Sequence, residues 1–587
     1  MTASPGTGRI SVVHKFNVWA PIAWRMDLYV HGQMLPMLPH ANGWWELECQ
    51  AQAGDDYGYC PNGGPPAPDP RSAWQPYGVH GLSRLVDHTA FSWTDDQWRG
   101  VDPADAILYE LHIGTFSPKG TFDGAIQKLD HVVGLGATIV ELMPVVEFSG
   151  DRGWGYDGVD LFAPHHVYGG HSGLKRFVDA CHARGLGVIM DVVYNHIGAE
   201  GNHLRRFGPY IGDDQATPWG DSLDLTGPSS LEVRRFVVDN AAMWIRDYHC
   251  DGLRVDAIHA LRWEGAIDIT KDICAAVRGV GEEQKRRTFV VAEDDINDSS
   301  VVMPPETGGL GFDAVYANTF QRALQATLTG ERRGHYAGFD GMHHLAEALH
   351  GPWVYAGQYA QYAPKTEGTF TDLDPTRFVV YMQNHDQVGN REQGDRISSL
   401  ASIGLVKIGA ALTLLSPFTP MIFQGEEFGA SSPFLFFTDR RELSDSRLVL
   451  QGRIDEFAEF GWNGDAVPDP QSPDAFIRSR LCWEDLSSAE HADILEWCRD
   501  LIALRRQFRM GGRRFDPSGT RLGANGKWLR LACHPILIAV NLDREPVIVP
   551  TTTGVELLLS STTQAAAKSD GVYLPPESIT IATTAVE

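Results

Sequence analysis

The stretch LGVIMDVVYNH (186–196) sets the reading of the chain, because an unbroken apolar run ends there in Asp191, Asn195 and His196. The pattern recurs in DGLRVDAIH (251–259), which ends in Arg254, Asp256 and His259. TFVVAEDD (288–295) ends in Glu293, and FVVYMQNHDQVGN (378–390) ends in His385 and Asp386. AILYELHI (106–113) and ATIVELMP (137–144) are further apolar runs upstream. Short, near-continuous apolar strands are buried on both faces, as in a parallel sheet covered by helices. The covering helices read as GAIQKLDHVVGLG (124–136), SGLKRFVDACHARG (172–185) and LEVRRFVVDNAAMWIRDYHC (231–250), with ILEWCRDLIALRR (494–506) as the last. Repetition over about 400 residues favours a (β/α)₈ TIM barrel over a doubly wound sheet. So does the lack of a G-x-G-x-x-G after the first strand.

Working outward, 587 residues are too many for one core, since cores stop growing at roughly 250–300 residues. Residues 1–90 read as a β-sandwich. In it Phe16, Val18 and Ala20 alternate with outward positions, and MDLYVHG (26–32) supplies a second strand. The Pro- and Gly-rich stretch PNGGPPAPDPRSAWQPYG (61–78) reads as an ordered loop. The barrel with its insertions is assigned 91–511. Short strands beyond it, KWLRLAC, ILIAVNL, EPVIVP and SITIATT, make 512–587 a C-terminal β-sandwich.

Composition removes several functions. A formal net charge of −26 repels phosphate backbones and anionic lipid, so neither nucleic acid nor a membrane is an expected partner. The most apolar segment, GLVKIGAALTLLSPFTPMIF (404–423), carries Lys407 and two prolines, and reads as a buried helix and strand rather than a membrane span. The start shows no apolar run behind a basic stretch, and the 8 cysteines form no C-x-x-C pair. Reduced thiols in a cytoplasmic protein are expected.

The strand ends carry the chemistry, because the active site of a (β/α)₈ enzyme lies where its strands end. Asp256 and Glu293 stand 37 residues apart, close to one βα unit. Arg254 and Asp256 share a strand face, so the guanidinium can hold the carboxylate ionised, while Leu253 and Val255 face the helices. A lone Asp after a strand is usually a helix N-cap; four strand ends bearing such groups point to chemistry instead. Glycosidic cleavage needs one acid to protonate the leaving oxygen and one carboxylate to attack or to activate water. A third acid nearby keeps the proton donor protonated. Asp256 is assigned as nucleophile, Glu293 as general acid/base and Asp386 as the third carboxylate. His196 and His385 are expected to donate to sugar hydroxyls, and His259 belongs to the same rim. Trp154, Tyr156 and Tyr168 of WGYDGVDLFAPHHVYGG (154–170) offer flat rings for a pyranose.

DVVYNH, GLRVDAIH, VVAED and QNHDQ, in that order, resemble the four motifs of the α-amylase family of glycoside hydrolases and transglycosylases. The resemblance implies a retaining double displacement, with Arg254, His196, His385 and Tyr156 lining the subsite of the attacked sugar. Residues 69–87, 110–116, 140–159, 208–225 and 423–443 resemble the branch of that family which cuts the α-1,4 bond beside a terminal trehalose. What that implies is a sandwich like a carbohydrate-binding module, maltooligosyltrehalose and maltooligosaccharides as substrates, and maltooligosyltrehalose synthase as functional partner. No cofactor is expected and no metal ligand is assigned; the resemblance leaves bound calcium open, since some relatives hold it near the position of Asn195 while nothing here forms a clear oxygen cage. The chain is expected to be a monomer or weak homodimer. It departs from the branch at His171, His203 and Arg440, and Asp295 in AEDD stands among the candidate substrate contacts. The rival readings are a glycogen-branching or debranching enzyme, a general α-1,4-glucanase, and a non-catalytic sugar-binding protein on the same barrel.

Overall fold

Alternating side chains explain the centre of the molecule, a closed ring of eight parallel strands. They are β1 (Leu108–Leu111), β2 (Ile139–Leu142), β3 (Gly187–Val192), β4 (Gly252–Val255), β5 (Phe289–Ala292), β6 (Ala314–Tyr316), β7 (Phe378–Tyr381) and β8 (Thr419–Phe423). Their inward residues lie in layers of different chemistry. Below, Leu108, Ile139, Ile189, Val291, Tyr316, Tyr381 and Met421 make an apolar plug. Two residues further along β1 to β4, where the same face returns, stand Glu110, Glu141, Asp191 and Arg254. Register pairs Glu110 with Glu141 across β1–β2, and Asp191 with Arg254 across β3–β4. The alternate residues Leu253 and Val255 lie in the outer core, as their sequence position predicts.

The computed structural model describes residues 13–217, 220–262, 268–351, 353–355, 372–441, 443–459, 467–523, 526–551 and 554–584. Most of the N-terminal stretch read for an export signal, and residues 218, 219 and 442 of the segments carrying the resemblance, lie outside the described residues.

Helices Gly170–His182, Ser230–Arg246, Ile269–Gln284, Asn318–Thr329, Ile403–Leu414 and Ala489–Phe508 wrap the barrel. The helix read over 124–136 forms in two pieces, Phe122–Ile126 and Leu129–Leu135. A turn, in which the Lys128 N–H bonds Ala125 O, separates them. Between β5 and β6 the described chain makes only the short 3₁₀ turns Ser299–Val302 and Pro305–Thr307. The segment 404–423 is a buried helix followed by β8. No helix among the described residues is long and apolar enough to cross a membrane.

Antiparallel sheets flank the barrel on both sides in sequence. Strands Val13–Trp19, Met26–Val30, Trp44–Gln50 and Asp56–Pro61 anchor two small sheets before it. The Pro-rich loop behind them is packed rather than loose, for Asp69 is buried and accepts the Tyr57 hydroxyl at 2.7 Å. After the barrel a five-stranded sheet, including Trp528–Cys533, Ile536–Asn541 and Ser578–Thr584, accompanies a three-stranded one. Thus a TIM barrel is flanked by sandwich-like β regions.

Candidate active site

The site begins with Arg254, a guanidinium only 1% exposed inside the barrel. Its Nη1 donates to both oxygens of Asp191 at 3.0 Å and to Asp256 Oδ1 at 2.6 Å. Asp256 is the first residue beyond β4, and its other oxygen accepts the Asn195 amide at 2.8 Å. Burial pushes the Asp256 carboxyl up, but Arg254, Asn195 and His196 outweigh it and hold the group below the usual carboxylate range. Asp191, wholly inside, goes the other way. Burial lifts it to about 6 against the pull of Arg254.

Glu293 follows β5 directly, and its Oε2 accepts the N–H of Ala257 at 2.8 Å. Ala257 is the residue after Asp256, so one backbone turn holds both carboxyls. That turn is tight enough to put Ala257 at φ 43°. Burial raises Glu293 to about 8, and the charges of Asp295, Asp256 and Asp386 add to this against Arg254. The chain has thus placed one depressed and one elevated carboxyl side by side, the arrangement that separates a base or nucleophile from an acid.

Asp386 lies five residues beyond β7, in the first turn of the short helix His385–Gly389, which Asn384 caps. Asn390 donates to it at 3.2 Å. Its neighbour His385 is 1% exposed and is held by Glu110, which accepts its backbone N–H at 3.0 Å and its ring Nδ1–H. Tyr156 stacks on the His385 ring with centroids 5.2 Å apart. Its hydroxyl lies 2.8 Å from His385 Nε2 and donates to Asp191 at 2.6 Å. His196 sets both ring nitrogens against protein oxygens, Asn195 Oδ1 and the Tyr156 carbonyl. Asn195 thus spends its amide nitrogen on Asp256 and sets its carbonyl oxygen against His196.

Two cavities meet at these carboxylates. The first, about 310 Å³, is lined by Trp154, Tyr156, His196, Asp256, His385 and Arg440 among others. The second, about 330 Å³, is lined by Glu293, Asp295, Asn318, Arg322 and His335 among others. His259, Asp386 and Asn390 belong to both. His259 stands 3.5 Å from Asp294, whose carboxylate raises the imidazole to about 9. Asp295 points outward and accepts from Asn318 at 2.9 Å and Arg322 at 3.1 Å.

Of the residues singled out from the sequence, Trp154, Tyr156, His196, Asp256, His259, Glu293, Asp295, His385 and Asp386 line the two cavities, and Arg254 lies buried against Asp256, although not all in the manner expected. Trp154 is 4% exposed, gives its indole N–H to Leu435 O at 2.9 Å and stacks on Phe434, so it is a wall more than a free platform. Tyr168 is not part of the cleft: it is buried behind it, donating to Gly153 O at 3.3 Å. Of the three departures, Arg440 lines the first cavity, whereas His203 pairs with His80 away from it and His171 packs on Trp74. Glu110 and Glu141 were missed. The signal was present, since a Glu in the middle of an apolar strand buried on both faces cannot be a surface residue.

Comparison with known proteins identifies the family. The family model of the alpha amylase catalytic domain matches residues 89–215. The malto-oligosyltrehalose trehalohydrolase of Arthrobacter ramosus is 45% identical over 553 residues, covering 92% of this chain and 95% of that protein. Its counterpart in Rhizobium sp. (strain M-11) is 41% identical over 584 residues, 97% of each. The crystal structure of a Salmonella typhimurium protein assigned to the alpha amylases superposes with a TM-score of 0.89 at 34% identity, covering 97% of this chain and 98% of that one.

Proposed function

The chain belongs to the malto-oligosyltrehalose trehalohydrolases of the α-amylase family, and we propose that it performs their reaction through Asp256, Glu293 and Asp386. It is a retaining glycoside hydrolase. The observation that carries the residue roles is the opposed ionisation of two adjacent carboxyls, Asp256 held down and Glu293 held up to about 8.

In the first step Asp256 attacks the anomeric carbon of the glucose next to the trehalose unit. The bond to the trehalose oxygen breaks, and Glu293 gives that oxygen its proton. The glucan is left as an ester on Asp256, and trehalose departs. Water then attacks the same carbon, Glu293 takes its proton, and the shortened maltooligosaccharide is released. Asp386 keeps Glu293 protonated by its charge and faces the ring of the attacked sugar. Arg254 holds Asp256 ionised before attack, while Tyr156, His196 and His385 shape the pocket around that ring. The glucan chain occupies the cavity of Trp154 and Arg440, and the trehalose unit the cavity on the Glu293 side. This reading requires an enzyme that builds the terminal trehalose, a maltooligosyltrehalose synthase, in the same compartment, which we take to be the cytoplasm. We take the chain to act as a monomer or weak homodimer.

The test is product analysis on maltotriosyl trehalose and, separately, on maltopentaose. Fast release of intact trehalose from the first with slow cleavage of the second is expected. Equal cleavage of both would make the enzyme a general α-1,4-glucanase, and new branches would make it a transferase.

A further inference from the structure

Glu110 lines neither cavity, so no sugar can touch it. It sits in β1 with 1% of its surface exposed, an expensive place for a carboxylate unless its partners are good. Both of its oxygens are spent on one residue, His385. From His385 a line of hydrogen bonds crosses the barrel. Nε2 meets the Tyr156 hydroxyl, Tyr156 donates to Asp191, and Arg254 ties Asp191 to the Asp256 carboxylate.

The direction of that line has a single weak point. Tyr156 has one hydroxyl hydrogen but two neighbours within reach, Asp191 Oδ2 at 2.6 Å and His385 Nε2 at 2.8 Å. If Nε2 carries a hydrogen, the ring donates to Tyr156, and Tyr156 in turn donates to Asp191. If Nε2 is bare, the two acceptors compete for the one hydrogen, and the ring loses its donor toward Asp386, 3.4 Å away. A neutral imidazole has one N–H, and the Nδ1 side already faces Glu110. Only the doubly protonated ring serves both sides.

We propose that Glu110 is a positioning residue for the reaction: by accepting both the backbone and the Nδ1 hydrogens of His385 it keeps a hydrogen on Nε2, which fixes the Tyr156 hydroxyl on Asp191 and so the Asp191–Arg254–Asp256 array. The inference rests on the site reading given under Proposed function. The charged and titratable groups facing His385 are Glu110 and His112 from β1 and its end, Tyr156 after β2, Asp191 on β3, Arg254 on β4, and Asp386 beside it. Burial alone would drain the ring of its proton, but Asp386 and Glu110 raise it to about 9 against Arg254. Glu141, opposite Glu110 in register, is mostly protonated at neutral pH and competes little as an anion there. Burial and Glu110 itself raise it to about 8, and the Tyr316 hydroxyl donates to it.

The experiment uses Glu110→Gln, close in shape but unable to carry the charge, in the full-length enzyme with a matched circular-dichroism spectrum. Histidine-labelled protein is titrated by NMR, with the His385 signal assigned from its loss in His385→Asn. In the variant the His385 midpoint should fall by at least one pH unit. In parallel, kcat on maltotriosyl trehalose at pH 8 should drop about twofold for a one-unit fall and about tenfold for a two-unit fall from the native midpoint of about 9, and recover in part at pH 6, where the ring regains its second proton. Glu110→Asp, which keeps the charge, should keep the midpoint raised even if it lowers kcat. An unchanged midpoint in Glu110→Gln, or a loss of kcat equal at every pH, overturns the proposal. The NMR midpoint does not depend on which sugar is cut, so its failure is separable from failure of the substrate assignment.

Discussion

Replacing Glu293 by Gln tests the mechanism where it is most exposed. The side chain keeps its shape and its Ala257 N–H partner, but it can no longer give or take a proton. The pH dependence of the native enzyme should be read first. A general acid works only while protonated, so a raised pKa extends activity upward and is lost as pH rises through it. With Glu293 raised to about 8, about nine-tenths of the molecules hold the proton at pH 7 and about one-tenth at pH 9, so kcat/KM should fall about tenfold between them. A carboxyl at its ordinary value would be protonated in well under about 1% of molecules at pH 7. In Glu293→Gln, hydrolysis of maltotriosyl trehalose should drop by about 10²–10⁴ or more. The alkaline limb should vanish with the group that caused it. The decisive assay compares this substrate with α-maltosyl fluoride, whose leaving group needs no proton. On the fluoride the first step should be nearly intact, the ester on Asp256 should accumulate, and added azide should release it as α-maltosyl azide. Equal losses on both substrates, or an alkaline limb retained at full rate, would refute the assignment of Glu293.

Three further outcomes follow from the same geometry. Asp256→Asn should remove turnover at every pH while the protein still melts cooperatively, and near-native rates in that variant would exclude Asp256 as nucleophile. Gly389→Ala should lower both the melting temperature and the affinity for substrate. A Cβ there would stand 2.1 Å from the Trp154 ring, an overpacking that costs about 1–3 kcal/mol, and an unchanged melt with unchanged KM would show that the Trp154 wall can yield. Asp295→Asn gives up the charge that pairs with Arg322, and should slow release of trehalose from maltotriosyl trehalose more than cleavage of maltopentaose; an equal effect on both would remove Asp295 from the trehalose side.

What could be read in the sequence, and what could not, divides along the distance between a residue and its partner. The barrel strands and their terminal acids were legible because their periodicity is local. An apolar run followed at once by Asp256 or Glu293 needs no knowledge of the rest of the chain. Arg254 beside Asp256 was legible for the same reason, two residues on one strand face. Glu110 was not, because its meaning comes from His385, which is remote in sequence and reaches it only once β7 closes on β8 and β1. Trp154 was ambiguous for a similar reason: whether an indole faces a sugar or a wall depends on Phe434 and Leu435, delivered by the loop after β8. The roles of His196 and His385 shifted in the same direction. Their ring nitrogens, read as donors to sugar, are in large part committed to Asn195, the Tyr156 carbonyl and Glu110. The sugar-facing surface is therefore set less by the residues a motif names than by the buried groups that orient them, and it is at those buried groups that a substitution should alter pH dependence without touching substrate.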